Sequence, residues 1–253
     1  MPPDPRMSAR QRLDLCLVAR GLAPSRARAQ SLIREGLVSV AGVPQRQPAA
    51  RIAPGAAVTL SAAAVPYVSR GALKLPAALD HFRMPVAGRV ALDVGAATGG
   101  FTEVLLSRGA ARVYAVDVGR GQLAAELVRD PRVIALQGCD ARRLDGTLIA
   151  ERVGAIVADV SFISLTKALP APLALAAAEA WLIALVKPQF EAGKAAIGKG
   201  GIVRDEGARR RAVELVATFV AERPGWRVLG VIPSPIRGGS GNAEFLLGAV
   251  RDG

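Results

Sequence analysis

Val90-Ala91-Leu92-Asp93-Val94-Gly95-Ala96-Ala97-Thr98-Gly99-Gly100-Phe101 decides the fold. It opens as a short apolar run of strand type and passes directly into glycines that begin a helix. Glycine lets the backbone turn sharply and a ligand approach closely, while the helix start offers free N–H groups. Alone, such a loop marks a nucleotide-like ligand at the end of a strand.

Working outward, residues 112–117, 133–136, 155–160, 181–187, 227–232 and 244–250 read as six further strands, with helical stretches between most of them. That alternation predicts an α/β fold, a doubly wound seven-stranded sheet with its ligands at the C-terminal strand ends. The glycine spacing is Gly-x-x-x-Gly-Gly, not the Gly-x-Gly-x-x-Gly that cradles a dinucleotide pyrophosphate. Asp117 ends the second strand, 18 residues beyond Gly99, where a carboxylate can accept both hydroxyls of a ribose. Asp140, after the third strand, is placed to reach an adenine edge. Acid, glycine loop, acid, acid suits S-adenosylmethionine, whose sulfonium carries no phosphate. Asp93, Gly95, Ala96, Thr98, Gly99, Gly100, Phe101, Asp117 and Asp140 are therefore the candidate cofactor residues. Strand-end caps in another doubly wound protein would give the same acids.

The 253 residues are 51% hydrophobic and 21% charged, enough for a sizeable core and too apolar for disorder. The formal charge of +12 argues for a polyanionic partner, nucleic acid before anionic membrane. A genome that favours arginine codons gives the same bias, but the first 60 residues hold nine arginines against three acids. Cys16 and Cys139 are too few for a disulfide framework or a zinc site, and His81 has no metal-ligating neighbour, so no metal is expected. The N-terminus lacks the apolar run of a secretory signal. Residues 169–186 are mostly apolar but carry Pro170, Pro172 and Glu179, so they read as a helix and a buried strand and not a membrane span. A cytoplasmic protein follows.

The arginine-rich start reads as a small α+β module. Ser8 can cap a helix with Leu13, Cys16 and Leu17 on one face, ending at Gly21. Ser25 can cap a second one, ending at Gly36, with Ala29, Leu32 and Ile33 inward and Arg26, Gln30 and Arg34 on another face. Residues 37–40 alternate as a strand, turn at Ala41-Gly42, and pair with a strand at 58–60. Arginine forks on such a stripe suit RNA phosphates, and a solvated helix face gives the same pattern. The segment Ser25-Arg26-Ala27-Arg28-Ala29-Gln30, with Gly36-Leu37-Val38 and Val40-Ala41-Gly42, resembles an S4 RNA-binding domain. The division expected is residues 1–60 for this domain, an alanine-rich linker at 61–66, and a second domain at 67–253.

Two further strand ends carry charge: Ile156-Val157-Ala158-Asp159 and Leu185-Val186-Lys187. A charge closing a buried strand is costly unless paired or used, so Lys187 opposite Asp159 is either a site or a plain ion pair. From Tyr67 onward the chain resembles the FtsJ-like 2′-O-methyltransferase domain, a Rossmann-like class I methyltransferase. With its S4-like front it resembles the TlyA family, which methylates cytidine ribose 2′-hydroxyls in ribosomal RNA. The matching pieces are Ser69-Arg70-Gly71-Ala72-Leu73-Lys74-Leu75, Asp93 to Phe101, Ala158-Asp159-Val160-Ser161-Phe162-Ile163-Ser164, Val186-Lys187-Pro188-Gln189-Phe190-Glu191 and Ser240-Gly241-Asn242-Ala243-Glu244.

The resemblance implies a catalytic tetrad of Lys74, Asp159, Lys187 and Glu244, with S-adenosylmethionine as cofactor and ribosomal RNA or ribosomal subunits as partner. It adds Arg26, Arg28, Arg34 and Arg70 as RNA-binding residues, and neither a membrane nor an obligate protein partner. Lys187 is the expected general base; neighbouring cations favour its neutral form, and the two carboxylates oppose it. The run Asp159-Val160-Ser161-Phe162 differs from the Asn/Asp-Pro-Pro-aromatic sequence of exocyclic-amine methylation, and Cys139 lacks the Pro-Cys context of carbon-5 methylation. Residues 193–211, with Lys194, Lys199, Arg204 and Arg209-Arg210-Arg211, read as a loop near the site that helps hold RNA, or as a solvated loop, and then a helix start. Rival readings are an inert S4-type ribosome-binding factor and a membrane-active hemolysin, a label some members of the family carry.

Overall fold

The computed structural model describes residues 10–23, 26–61, 67–238 and 241–252. The expected caps Ser8 and Ser25, the linker residues 62–66 and Ser240 lie outside them. The chain divides into two compact units, Met1–Ser69 and Arg70–Gly253.

The first unit runs β1 (Gln11–Arg12), α1 (Leu13–Ala19), α2 (Arg26–Arg34), β2 (Val38–Val40), β3 (Val43–Gln45), β4 (Arg51–Ile52) and β5 (Val58–Leu60). The last strand pairs antiparallel with β2, as does β3, and β1 pairs with β4. Leu13, Cys16 and Leu17 of α1 join Ala29, Leu32 and Ile33 of α2, Val38 and Ile52 in one buried cluster. Burying each large aliphatic side chain contributes about 1.5–3 kcal/mol, and the expected helix faces supply most of this small core. Asp14, fully buried on α1, accepts hydrogen bonds from Arg12 Nε (2.9 Å), Arg26 Nε (3.1 Å) and Gln30 Nε2 (2.9 Å). The Arg12 guanidinium first, then Gln30 and Arg26, hold its carboxyl far below the usual carboxylate range. The polar stripe of α2 is thus anchored from beneath by an acid on α1. Arg28, named among the expected RNA-binding residues, is only 5% exposed.

The second unit runs α3 (Lys74–His81), β6 (Val90–Val94), α4 (Gly100–Ser107), β7 (Arg112–Asp117), α5 (Ala125–Arg129), β8 (Val133–Gln137), β9 (Val153–Ala158), α6 (Leu165–Ala168), α7 (Pro170–Ala174), β10 (Ala176–Val186), α8 (Pro188–Glu191), α9 (Glu206–Ala221), β11 (Trp226–Pro233) and β12 (Phe245–Arg251). Seven strands form one sheet in the order β11-β12-β10-β9-β6-β7-β8. β12 pairs antiparallel with both β10 and β11, and the other four pairings are parallel. The strands read from sequence are all present, in an α/β sheet of the expected class.

One boundary moves substantially. The strand expected at 181–187 begins at Ala176, because Ala176 already pairs with Val153 and the register is restored at Trp181–Ala155 after an irregularity that includes Glu179 at φ 59°. Sheet pairing overrides the helix preference of the alanines there. The helix expected before it is two short pieces, with Pro170 and Pro172 in the first turn of α7. Residues 193–211 hold short 3₁₀ turns and then α9, whose N-cap Asp205 accepts from Ala208 N. Ala208, Ala212, Val216 and Val220 recur every four residues on the buried face of α9.

Candidate active site

The central strands β6 and β9 deliver the glycine loop and the Asp159 segment to the same edge of the sheet. Gly95 and Ala96 both donate their N–H groups to Val116 O (2.8 and 3.0 Å), fastening the loop to β7. Gly95 has φ 86°, and a Cβ there would lie 2.5 Å from the Asp159 carbonyl oxygen. Only bare backbone fits at this crossing. Gly99 closes the turn at φ 95° as the N-cap of α4.

Asp117 accepts one backbone hydrogen bond on each carboxylate oxygen, from Ala97 N (2.9 Å) and Gly119 N (2.7 Å). Both oxygens keep a further lone pair for a ligand. A cleft of about 1200 Å³ lies against this edge, lined by Gly95, Ala97, Asp117, Asp140, Asp159 and Phe162 among others. The dimensions fit a nucleoside, with a glycine cradle on one side and the paired acceptors of Asp117 on the other.

The other expected cofactor residues take different places. Asp93, Ala96, Gly99, Gly100 and Phe101 are buried behind the loop, and Thr98 is exposed, its carbonyl accepting from Ala124 N at 3.2 Å. Asp93 is wholly buried, accepts from Thr102 Oγ1 at 2.7 Å, and has its other oxygen without a hydrogen-bond partner. Burial, aided by the charges of Asp159 and Asp117, pushes its carboxyl up to about 7 against the Thr102 bond. Asp93 therefore braces the strand-to-helix turn and does not face the cleft. Asp140 lines it but also pairs with Arg142 at 2.6 Å, a contact that holds its carboxyl below the usual range.

The four charged residues form two ion pairs. Lys187 Nζ lies 2.5 Å from Asp159 Oδ1 and donates to Ser161 Oγ at 3.0 Å. Lys74, opening α3, lies 2.7 Å from Glu244 Oε2, and both side chains are under one-tenth exposed. Register explains why distant segments converge here. Val186 pairs with Phe245 and Ala184 with Ala158, so Lys187, Glu244 and Asp159 follow or precede neighbouring rungs of β10, β12 and β9.

Several contributors escape a reading of charge alone. Ser161, Gln189 and Phe190 line the cleft, and the Phe162 and Phe190 rings lie 5.3 Å apart; Lys194, expected in a loop near the site, lines it too. Arg70 is exposed at the start of a 3₁₀ turn that leads into α3. Among the described residues, no group of His, Cys, Asp and Glu could hold a metal ion, and no helix is long and apolar enough to cross a membrane.

Residues 67–251 match the model of the FtsJ-like methyltransferase family, and residues 11–58 match the S4 domain. The chain is 50% identical over 242 residues to the 16S/23S rRNA (cytidine-2′-O)-methyltransferase TlyA of Mycobacterium tuberculosis, covering 95% of this chain and 90% of that one. It is 37% identical over 237 residues to Hemolysin A of Brachyspira hyodysenteriae, covering 93% and 98%. A solved structure from Streptococcus thermophilus, titled as a hemolysin, superposes with a TM-score of 0.76 at 38% identity, covering 97% of this chain and 90% of that one.

Proposed function

We propose, for a chain that belongs to the FtsJ-like methyltransferase family and to its TlyA branch, that it transfers a methyl group from S-adenosylmethionine to the 2′-hydroxyl of a cytidine ribose in ribosomal RNA. The observation that carries this reading is the pairing of Lys187 with Asp159 at the rim of the nucleoside-sized cleft, backed by the buried Lys74–Glu244 pair.

Bound there, the cofactor would supply an electrophilic methyl on a cationic sulfur, with a neutral thioether as the leaving group. Asp117 would accept the hydroxyls of its ribose, the Gly95 backbone would give it room, and Asp140 would reach the adenine with a carboxylate lone pair that Arg142 does not occupy. A ribose hydroxyl is a poor nucleophile until its proton is taken. Lys187 takes that proton on Nζ as general base, with Asp159 and Ser161 fixing the direction of the amine. Lys74 and Glu244, held by burial, orient the ribose. The acid-anchored stripe of Arg26 and Arg34, together with Arg70, engages RNA phosphates. Ribosomal RNA as the substrate assigns the work to the cytoplasm.

Incubation with ribosomal subunits and methyl-labelled S-adenosylmethionine tests the reading. Label should enter ribosomal RNA; subunits that stay unlabelled contradict it.

A further inference from the structure

The loop that carries Asp159 is gripped at both ends by one short segment of the chain. At its start, Lys187 holds Asp159 and Ser161. At its end, Glu191 accepts from Ser164 Oγ at 2.5 Å through Oε2 and from Leu165 N at 2.8 Å through Oε1. Ser164 is itself the N-cap of α6, its hydroxyl oxygen accepting from Thr166 N at 3.2 Å. Glu191 thus satisfies a helix-start N–H that α6 leaves open and completes the cap that ends the loop.

Between the two grips the backbone is strained. Phe162 has φ 65°, a left-handed conformation that a bulky residue rarely adopts, and its side chain is 91% exposed. Such a conformation persists only where its surroundings over-determine it. Phe190, one residue before Glu191, packs its ring against that of Phe162, tilted by 52°. Burial raises the Glu191 carboxyl, against the hydrogen bonds from Ser164 and Leu165 that lower it.

We propose that Glu191 is a positioning residue: it clamps the Ser164–Leu165 end of the loop so that Asp159 and Phe162 are held in their working geometry against Lys187. This rests on the methyl-transfer reading above.

Glu191→Ala, Glu191→Gln and Ser164→Ala test it by two readouts. Amide hydrogen exchange at residues 160–165 should speed up at least tenfold in Glu191→Ala and far less in Glu191→Gln, whose side-chain carbonyl still accepts from Leu165 N. In methyl transfer to ribosomal RNA, Glu191→Ala should lower kcat at least tenfold with the S-adenosylmethionine Kd within threefold of wild type. Glu191→Gln should recover most of that rate, and Ser164→Ala should lose three- to fivefold. Unchanged exchange in Glu191→Ala and Ser164→Ala overturns the clamp, and faster exchange with unchanged kcat overturns its positioning role. If Glu191→Ala fails to fold, Ser164→Ala decides by the same two criteria. Wild-type protein without any methyl transfer counts against the proposed function, while the exchange rates still decide whether the clamp exists.

Discussion

Lys187 and Asp159 meet at 2.5 Å although they close different strands, β10 and β9. The contact brings an amine and a carboxylate to the edge of the same cleft, where the carboxylate fixes the position of the amine. Lys187→Ala should therefore abolish methyl transfer, by at least 100-fold on the usual scale of general-base removal. The Kd for S-adenosylmethionine should stay within a few-fold, because Asp117 and the glycine loop are untouched. Isothermal titration alongside a single-turnover assay separates the two.

The Lys74–Glu244 pair makes a stability prediction. Both side chains are nearly sealed from water, so removing one leaves the other's charge buried and uncompensated. Glu244→Ala should lose about 3–5 kcal/mol in denaturant unfolding. The double variant Lys74→Met, Glu244→Leu should recover much of that loss and still lack activity. A double variant as unstable as the single one would contradict the buried-charge account.

Asp93 predicts a pH dependence. Its folded carboxyl is pushed up to about 7 from an ordinary 3.8, so between those values the native state holds a proton that the unfolded chain has lost. The unfolded state then binds fewer protons, and stability falls as pH rises through this window. Asp93→Asn, neutral at every pH, should flatten the fall and unfold at a higher temperature than wild type at pH 8. An unchanged slope between pH 5.5 and 8 would contradict the assignment.

Gly95→Ala forces a left-handed alanine whose Cβ overlaps the Asp159 carbonyl. The backbone conformation alone costs roughly 1–2 kcal/mol, and relief of the overlap must move Asp159. Loss of cofactor binding together with a lowered Tm is expected, read by titration and thermal melting.

Much of this was legible in the sequence, for physical reasons that differ by region. Strands such as Val90–Val94 and Arg112–Asp117 are buried on both faces, so continuous apolar runs mark them, and their bounds agree with the structure residue for residue. The segment Ala176–Ala180 reads as helix in the sequence because alanine carries no strand signal, and only pairing with Val153 makes it strand. Charged residues ending apolar runs announced Asp159 and Lys187. The role of Asp93 was not legible: its place in the glycine motif suggests a ligand contact, and only three dimensions show Thr102 and the core around it. The same holds for Asp14, whose convergence with Arg26 and Gln30 depends on how α1 packs on α2.

The central claim is that the acceptor is a ribose oxygen of cytidine. Ribosomal subunits lacking the modification, methylated by this protein and digested to nucleosides for mass spectrometry, test it most directly. The account predicts that 2′-O-methylcytidine appears with wild-type protein and is absent with Lys187→Ala. A methyl group found on the base, or on no cytidine at all, would contradict it.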